Sequence, residues 1–374
     1  MVKYRIAVFP GDGIGPELID EGIKIIEKAA ELDKFEVEFI KYPYGAEHFE
    51  EINEHLTNKT LKEIKDSCRA IYCGTFDFSK TSADKNVPAL IKSYFAQTIN
   101  LRSIRLLPGI ESSISGKTDN DINFTVIREN SEDFYVGLCG RAKNGKTKQQ
   151  FECNNLCKAK FNLDIETKGN EIAYQIGILS KKGCEKVVRY AFNYAKNNNI
   201  NQLTAVDKAN MLNFYGIWRE CFEKAAKDNN GIKYEFELID STIMNLIRQP
   251  EKYKIIVAPN LFGGILSDLG TMLQGGLTYG ARANINPDGI SMFEPIHGCA
   301  PKLKGQGIVN PIATVWAGAL MLESIGQKKS SDLILKSIEG VLKDGKTRTQ
   351  DLNGNNSTSE MGDAIKEKFV ELHD

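Results

Sequence analysis

The sequence predicts an α/β protein built on a mostly parallel sheet with helices packed against it. Two patterns carry the prediction. Apolar runs of strand length alternate with segments whose apolar residues recur at helical spacing, and this alternation appears twice along the chain. The size fits as well: 374 residues, 41% hydrophobic and 26% charged, allow two domains or one large one with a sizeable core.

The elements follow in order. "RIAVFPG" reads as a buried strand. "PELIDEGIKIIEKAAEL" places Leu18, Ile19, Ile23, Ile26 and Ala30 on one helical face. "FEVEFIKY" alternates as a strand does, "TLKEIKDS" is helical, and "AIYCG" is a strand again. After about residue 120 the order resumes. "INFTVIRE" is strand, "KGCEKVVRYAFNYAKNN" helix, "QLTAVDK" strand, "FYGIWRECFEKAAKDN" helix, and "KYEFELID" and "KIIVAP" are strands. A polar stretch over 140–171 is too long for an ordinary connection and reads as an arm or insertion. The last third holds a Gly-rich stretch, the aperiodic loop "EPIHGCAPKLKGQGIVNP", and two helices, "IATVWAGALMLESIG" and "SSDLILKSIEGVLKDG". No internal repeat is visible.

Composition narrows the function classes. Lys and Arg number 48 and Asp and Glu 49, a net charge of −1, so nothing global favours nucleic acid or an anionic membrane. Basic stretches such as "KNGKTKQQ" read as solvated loops. No run of about 18 apolar residues suggests a membrane span. "MVKYRIAVF" enters a strand-like run at once, without the pattern of a signal peptide. The eight cysteines are scattered, and Cys153 and Cys157 have no second Cys or His pair near enough for a zinc site. Reduced thiols in a cytoplasmic protein are the expectation.

Chemistry concentrates at predicted strand ends. "PGDGIGPE" gives Gly11, Gly13 and Gly15 after a strand, half of a dinucleotide fingerprint and equally a tight strand-to-helix turn. Basic residues gather at Lys92, Arg102, Arg105 and Arg128, and guanidinium forks suit carboxylates. Any one of them could be a solvated surface residue, but Arg128 closes an apolar strand. Tyr135 follows seven residues later, and a lone Tyr is more often core or surface than catalytic. Asp207 and Lys208 end "AVDK", Asp240 ends the strand "FELID", and Asp268 starts the helix that follows "KIIVAP" and the tight turn expected at Gly263–Gly264. Strand ends in a parallel sheet line the usual ligand crevice. Cations there suit an acidic substrate, and acids suit a metal. The loop with His297 and Asn310 could wrap an adenosine; taken alone it is only an ordered loop.

"GDGIGPE", "NLR…LLPG", "RENSEDFY", "VDKAN", "NLFG-ILSDL" and "FEPIHG-AP…G…NPIAT" occur in this order. With these motifs, over nearly its whole length, the chain resembles the metal-dependent β-decarboxylating dehydrogenases. These act on 3-isopropylmalate, isocitrate, homoisocitrate, and tartrate or D-malate. The resemblance implies an isopropylmalate-dehydrogenase-like fold: two domains sharing a large central mixed sheet, not a standard Rossmann domain. Residues 1–107 with 275–374 would form the larger, nucleotide-binding domain. Residues 108–274 would form the dimerisation and substrate domain, with an arm at about 140–180.

The resemblance also implies roles. Arg102 and Arg128 match the substrate-carboxylate arginines, with Lys92 where a third arginine is usual. Tyr135 matches the acid that protonates carbon after CO₂ leaves. Lys208 matches the base acting on the hydroxyl, working from the other subunit of a homodimer with shared sites. Asp240 and Asp268 match carboxylates of a Mg²⁺ or Mn²⁺ site. Ile14 would lie near the nicotinamide of NAD or NADP, and His297, Gly298, Ala300, Pro301, Lys302, Val309 and Asn310 match the adenosine loop. The implied reaction moves a hydride from C2 of a 2-hydroxy dicarboxylate to the nicotinamide. The β-keto acid then loses CO₂, its enolate stabilised by the metal.

The chain departs from the family pattern in three places. Gly264 stands where an Asp metal ligand is usual, one helical turn before Asp268. That loss suggests impaired metal binding, either in a working enzyme or in a weakened or regulatory subunit. Lys302 replaces an Asp that accepts from ribose hydroxyls; a Lys cannot accept, and its charge suits a 2′-phosphate, which leans the expectation to NADP. Leu303, Gln350 and Gly354 lack the aromatic and basic partners NADP enzymes supply. Around the substrate's third substituent, Lys85, Asn86, Pro88 and Ala89 match neither the isopropylmalate nor the isocitrate pattern.

Overall fold

A computed structural model describes residues 2–79, 86–153 and 158–373. Lys85 and Cys157 lie outside the described residues. The elements run β1 (Lys3–Gly11), α1 (Gly15–Asp33), β2 (Glu36–Lys41), α2 (Ala46–Ile52), α3 (Asn58–Ser67), β3 (Ala70–Thr75), α4 (Val87–Tyr94) and β4 (Ile99–Arg105). Next come β5 (Asn123–Glu129), β6 (Cys139–Ala142), β7 (Gly145–Cys153), β8 (Ala159–Thr167), β9 (Ile172–Gln175), α5 (Lys181–Asn197), β10 (Gln202–Asp207) and α6 (Gly216–Lys227). The chain continues through β11 (Lys233–Leu238), α7 (Ile239–Arg248), β12 (Ile255–Ala258), α8 (Asn260–Leu273), β13 (Ala281–Ile285) and β14 (Met292–Pro295). It closes with α9 (Ile312–Ser324), α10 (Lys328–Asp344) and α11 (Thr358–His373). The main sheet is mixed, with ten strands in the order β11-β10-β12-β5-β4-β13-β14-β3-β1-β2. The α/β class with a large mixed sheet is therefore as expected.

Two compact units divide the chain. The first comprises Met1–Gln97, Leu101–Asn123 and Gly270–Asp374. Its strands β2, β1, β3 and β14 are parallel, and β13 pairs antiparallel with β14. Pro16 opens α1 in the first turn, where its missing N–H costs nothing. Leu18, Ile19, Ile25, Ile26 and Ala29 of α1 are buried. The helix α9 is apolar on every side and buried throughout Ile312–Leu322, as a core helix should be. Tyr72 is fully buried, and its hydroxyl donates to the Thr314 carbonyl of α9 at 2.7 Å. Gly22 permits this: a Cβ there would stand 2.0 Å from the Tyr72 hydroxyl.

The second unit comprises Thr98–Asn100 and Phe124–Leu269. Here β11, β10, β12 and β5 are parallel neighbours, so their C-terminal ends share one edge. The helix α5 buries Cys184, Val187, Val188, Ala191, Phe192 and Ala195, a 3.6-residue stripe, and its N-cap Ser180 accepts from Gly183 N–H at 3.0 Å. It packs on α6 through Trp218, Cys221 and Phe222.

Some details differ from expectation. The polar stretch forms paired strands: β7 pairs antiparallel with β8, and β6 with β9. Asp240 lies in the first turn of α7, not at the end of its strand. Asp268 lies well inside α8, not at the start of a helix, because α8 begins at Asn260. The Gly263–Gly264 pair is helical and has no positive φ, so it is not a turn. An additional helix, α11, follows the two expected at the C-terminus. Among the described residues the seven cysteines are unpaired thiols, and no helix is long and apolar enough to cross a membrane.

Candidate active site

In the second unit, each of the four parallel strands leads into a charged group. Arg128 lies near the end of β5, Lys208 directly follows β10, Asp240 opens α7 after β11, and Asp268 rides on α8 after β12. Lys208 Nζ pairs with the Asp240 carboxylate of the same chain. Arg128 is half-buried and lies along the start of α8. Its Nε donates to the Asn260 carbonyl at 2.7 Å and to Asn260 Oδ1 at 3.0 Å, and its Nη2 donates to the same Oδ1 at 2.7 Å. The glycine pair makes room for this pose. A Cβ at 263 would meet Arg128 Cγ at 2.5 Å, and one at 264 would meet Cζ at 3.3 Å. Tyr135 is 60% exposed, with the Arg128 guanidinium carbon 5.7 Å from its ring centroid.

Under this surface lies a set of buried acids, of which the sequence singled out only Asp207. Glu129 is fully buried. Its Oε1 accepts from Ser131 N–H at 2.7 Å and the Ser131 hydroxyl at 2.5 Å, and its Oε2 from Glu132 N–H at 2.9 Å. Burial pushes its pKa up to about 7 despite these donors. Glu132 accepts from Ser180 N–H at 2.7 Å and the Ser180 hydroxyl at 2.6 Å, at the N-terminus of α5. Burial raises its pKa too, as it does that of Asp133. Asp207, wholly buried, is held by a bidentate Arg219 at 2.6 and 2.9 Å.

Among the described residues no group of three or more His, Cys, Asp or Glu could hold a metal ion. Asp240 is taken up by Lys208, position 264 carries no carboxylate, and a side chain there would face a guanidinium.

In the first unit, Arg102 is buried on β4 and Lys92 is half-buried on α4. Arg105 is structural: its Nη1 pairs with Glu339 of α10 at 2.6 Å. Asn86 caps α4, accepting from Ala89 N–H at 3.0 Å. A cavity of about 470 Å³ is lined by Ile14, His297, Gly298, Ala300, Val309 and Asn310, together with Leu277, Thr278, Leu303, Ile308, Gln350 and Asp351. Pro301 and Lys302 sit on the 3₁₀ turn beside Leu303 and do not line it. Ile14 N–H donates to the Cys299 carbonyl at 2.9 Å, which ties the glycine stretch to this loop. Asn310 is structurally engaged at both ends, donating to Asp351 at 3.0 Å and accepting from Ile312 N–H at 3.0 Å. Leu277, Thr278 and Asp351 lie far from the loop in sequence, and no spacing could have assigned them to it.

His297 tests the cavity for a nucleotide. Its Nδ1 faces the Gly298 carbonyl at 3.1 Å and so carries the proton. Burial lowers its pKa from the ordinary value, which leaves the ring neutral at pH 7. Its Nε2 is then a buried acceptor with no partner. An exocyclic amine such as that of adenine would satisfy it, and the apolar walls suit a base.

Fold and site together define an α/β protein with a nucleotide-sized cavity in one unit and a charged strand-end cluster in the other. Comparison with known proteins agrees. The chain matches the isocitrate/isopropylmalate dehydrogenase family over residues 5–365. It is 34% identical to the decarboxylating D-malate dehydrogenase of Escherichia coli strain K12, covering 98% of each chain. It is 33% identical to the tartrate dehydrogenase/decarboxylase of Pseudomonas putida over 99% of each. The crystal structure of isocitrate dehydrogenase from Methylococcus capsulatus superposes with a TM-score of 0.81 at 30% identity, covering 98% of this chain and 99% of that one. The chain belongs to the isocitrate/isopropylmalate dehydrogenase family. That is a family of oxidatively decarboxylating dehydrogenases of hydroxy acids.

Proposed function

We propose that the protein oxidatively decarboxylates a malate-type 2-hydroxy dicarboxylate with NAD(P), in the 3-isopropylmalate, isocitrate or tartrate/D-malate class. The observation that carries this is the strand-end cluster: Arg128, Lys208, Asp240 and Asp268 follow four adjacent parallel strands. Arg128 and Arg102 bind the substrate carboxylates as guanidinium forks, with Lys92 adding a point charge. Lys208 takes the hydroxyl proton as hydride leaves C2. A nicotinamide held by the Ile14–His297–Asn310 cavity supplies the hydride acceptor. The resulting β-keto acid loses CO₂ between the carboxylate-binding cations, and the Tyr135 phenol delivers a proton to C3. We assign the larger, nucleotide-binding role to residues 1–107 with 275–374 and the dimerising role to 108–274. The β6–β9 arm lies in the latter, in a homodimer with shared sites.

A second reading has support in Gly264, which carries no side chain where the resemblance leads to an Asp metal ligand. In it the protein is a weakened or regulatory subunit that binds substrate and nucleotide. A panel of 3-isopropylmalate, isocitrate, homoisocitrate, D-malate and tartrate, with both cofactors and with Mg²⁺ or Mn²⁺, tests the first reading. Binding of the panel without turnover favours the second. The Gly264→Asp variant separates them further. If the site lacks a ligand, it gains metal affinity and turnover. If the parent already shows ordinary metal affinity and the added Asp gains nothing, the loss at 264 has no catalytic meaning.

A further inference from the structure

Two residues before Tyr135, the chain makes an unusual commitment. Asp133 is fully buried and left-handed, at φ 67°, a conformation uncommon outside glycine though Asp tolerates it better than most residues. It is held from several sides. Its N–H donates to the Ile178 carbonyl at 2.7 Å, and its carbonyl accepts from Ile178 N–H at 3.0 Å. Its Oδ2 accepts from Leu261 N–H at 2.8 Å, in the first turn of α8. Its Oδ1 accepts from the Tyr215 hydroxyl at 2.9 Å. Next to it, Asn260 Nδ2 donates to the Glu132 carbonyl at 3.1 Å, while the same Asn260 holds Arg128. The turn carrying Tyr135 and the guanidinium of Arg128 are thus both referenced to one turn of one helix.

We propose that Asp133 is a positioning residue for Tyr135, and the inference rests on the reaction assigned above. Its carboxylate clamps the 130–135 turn to the N-terminus of α8. The phenol is thereby held in register with Arg128, which binds the substrate carboxylate. Arg128 keeps its own hold on Asn260, so loss of the clamp displaces the proton donor and leaves substrate binding in place. The competing explanation is a cap for α8 that serves stability alone. A cap would be indifferent to whether residue 135 can donate a proton.

A double-mutant cycle distinguishes the two. Asp133→Asn keeps the shape but turns one acceptor into a donor facing an N–H or O–H. Tyr215→Phe removes one clamp bond more gently and serves if Asp133→Asn folds poorly. With a substrate from the panel, Asp133→Asn is expected to lower kcat roughly ten- to a hundredfold while KM changes less than about threefold. In a Tyr135→Phe background the same substitution should cost almost nothing further. Full additivity overturns the proposal and leaves the cap. If Tyr135→Phe alone leaves kcat unchanged, the role given to Tyr135 falls, and with it the clamp's catalytic meaning. A readout independent of turnover completes the test: 3-fluorotyrosine placed at 135 should give one narrow ¹⁹F line that shifts or broadens in Asp133→Asn and Tyr215→Phe. An unchanged line refutes the clamp even if every substrate fails, in which case the panel, not the clamp, has refuted the reaction.

Discussion

Glu129 makes the stability of the second unit depend on pH in a calculable way. In the folded chain its pKa is about 7, raised from 4.5 chiefly by burial. Below pH 4.5 it is protonated whether the chain is folded or unfolded, and it contributes no pH dependence. As pH rises from 4.5 to about 7, the unfolded chain releases the proton and the folded chain keeps it, so stability falls. Above about 7 both states are ionised and the loss levels off. At about 1.36 kcal/mol per pH unit, the gap between the two values gives a loss of roughly 3 kcal/mol. Glu129→Gln removes the titration. The neutral amide points one NH₂ at donors, so at pH 5 the variant should be less stable than the parent by roughly 1–3 kcal/mol. By pH 8 that deficit should have vanished or reversed, because only the parent has lost stability in between.

The two tryptophans make the measurement specific. Trp218 lies in the second unit and Trp316 in the first. In a Trp316→Phe background, Trp218 fluorescence during urea unfolding reports the unit that holds Glu129. Glu132 and Asp133, also raised by burial, titrate in parent and variant alike, so the difference between the two isolates position 129 to first order. If the stability difference between the Glu and Gln forms is flat from pH 4.5 to 8, Glu129 is not a buried proton-retaining acid and the reasoning fails.

Three further outcomes are expected. Lys302→Asp should move the ratio of kcat/KM for NADP over NAD at least roughly tenfold toward NAD, because a carboxylate accepts from ribose hydroxyls and repels a 2′-phosphate; an unmoved ratio places selectivity elsewhere, with Gln350 and Asp351 in the cavity wall next in line. Gly22→Ala should destabilise the first unit by about 1–3 kcal/mol, since the methyl would stand 2.0 Å from a Tyr72 hydroxyl already committed to Thr314, and a thermal melt within error of the parent would contradict that packing. Arg219→Met should cost about 3 kcal/mol by leaving the wholly buried Asp207 without its bidentate partner, and recovery in the double variant with Asp207→Asn would identify the unpaired charge as the cause.

How much of this was legible in the sequence depended on whether the signal was local. Strands such as Ile255–Ala258 and Ala70–Thr75 are buried on both faces, so a continuous apolar run was enough to find them. In β7 the half-buried face is Thr147, Gln149 and Phe151 against exposed Lys146, Lys148, Gln150 and Glu152, so its period carried little hydrophobic contrast. In contrast, β8 does alternate Ala159, Phe161, Leu163 and Ile165 with polar residues, a strand period that was legible inside the polar stretch and was passed over for its length. In α11 the buried residues Met361, Ile365 and Phe369 are thinly spread in a charged segment, and their helical spacing is easily lost. The strand-end acids were seen, but their exact placement on α7 and α8 depends on where each strand stops. The cavity wall at Leu277, Thr278 and Asp351 and the Asn260–Arg128 bond are made by the fold, with no local trace.

The glycine pair shows what the structure adds to a motif. From sequence, Gly263 and Gly264 look alike, two residues that let the chain turn. In the fold neither turns the chain. Gly263 is dictated by packing: any side chain would collide with Arg128 at Cγ, an atom too close to the backbone to move aside. Gly264 is not dictated in that way. A Cβ there meets only the terminal guanidinium, at 3.3 Å or more, and that end of the side chain can yield by a few tenths of an ångström. The fold would therefore accept an acid at 264, and an acid facing a guanidinium is electrostatically favoured. Neither backbone conformation nor core packing explains the glycine. What its absence of a side chain changes is the charge presented against the Arg128 guanidinium and one helical turn before Asp268, which is a matter of the proposed site's chemistry and not of folding.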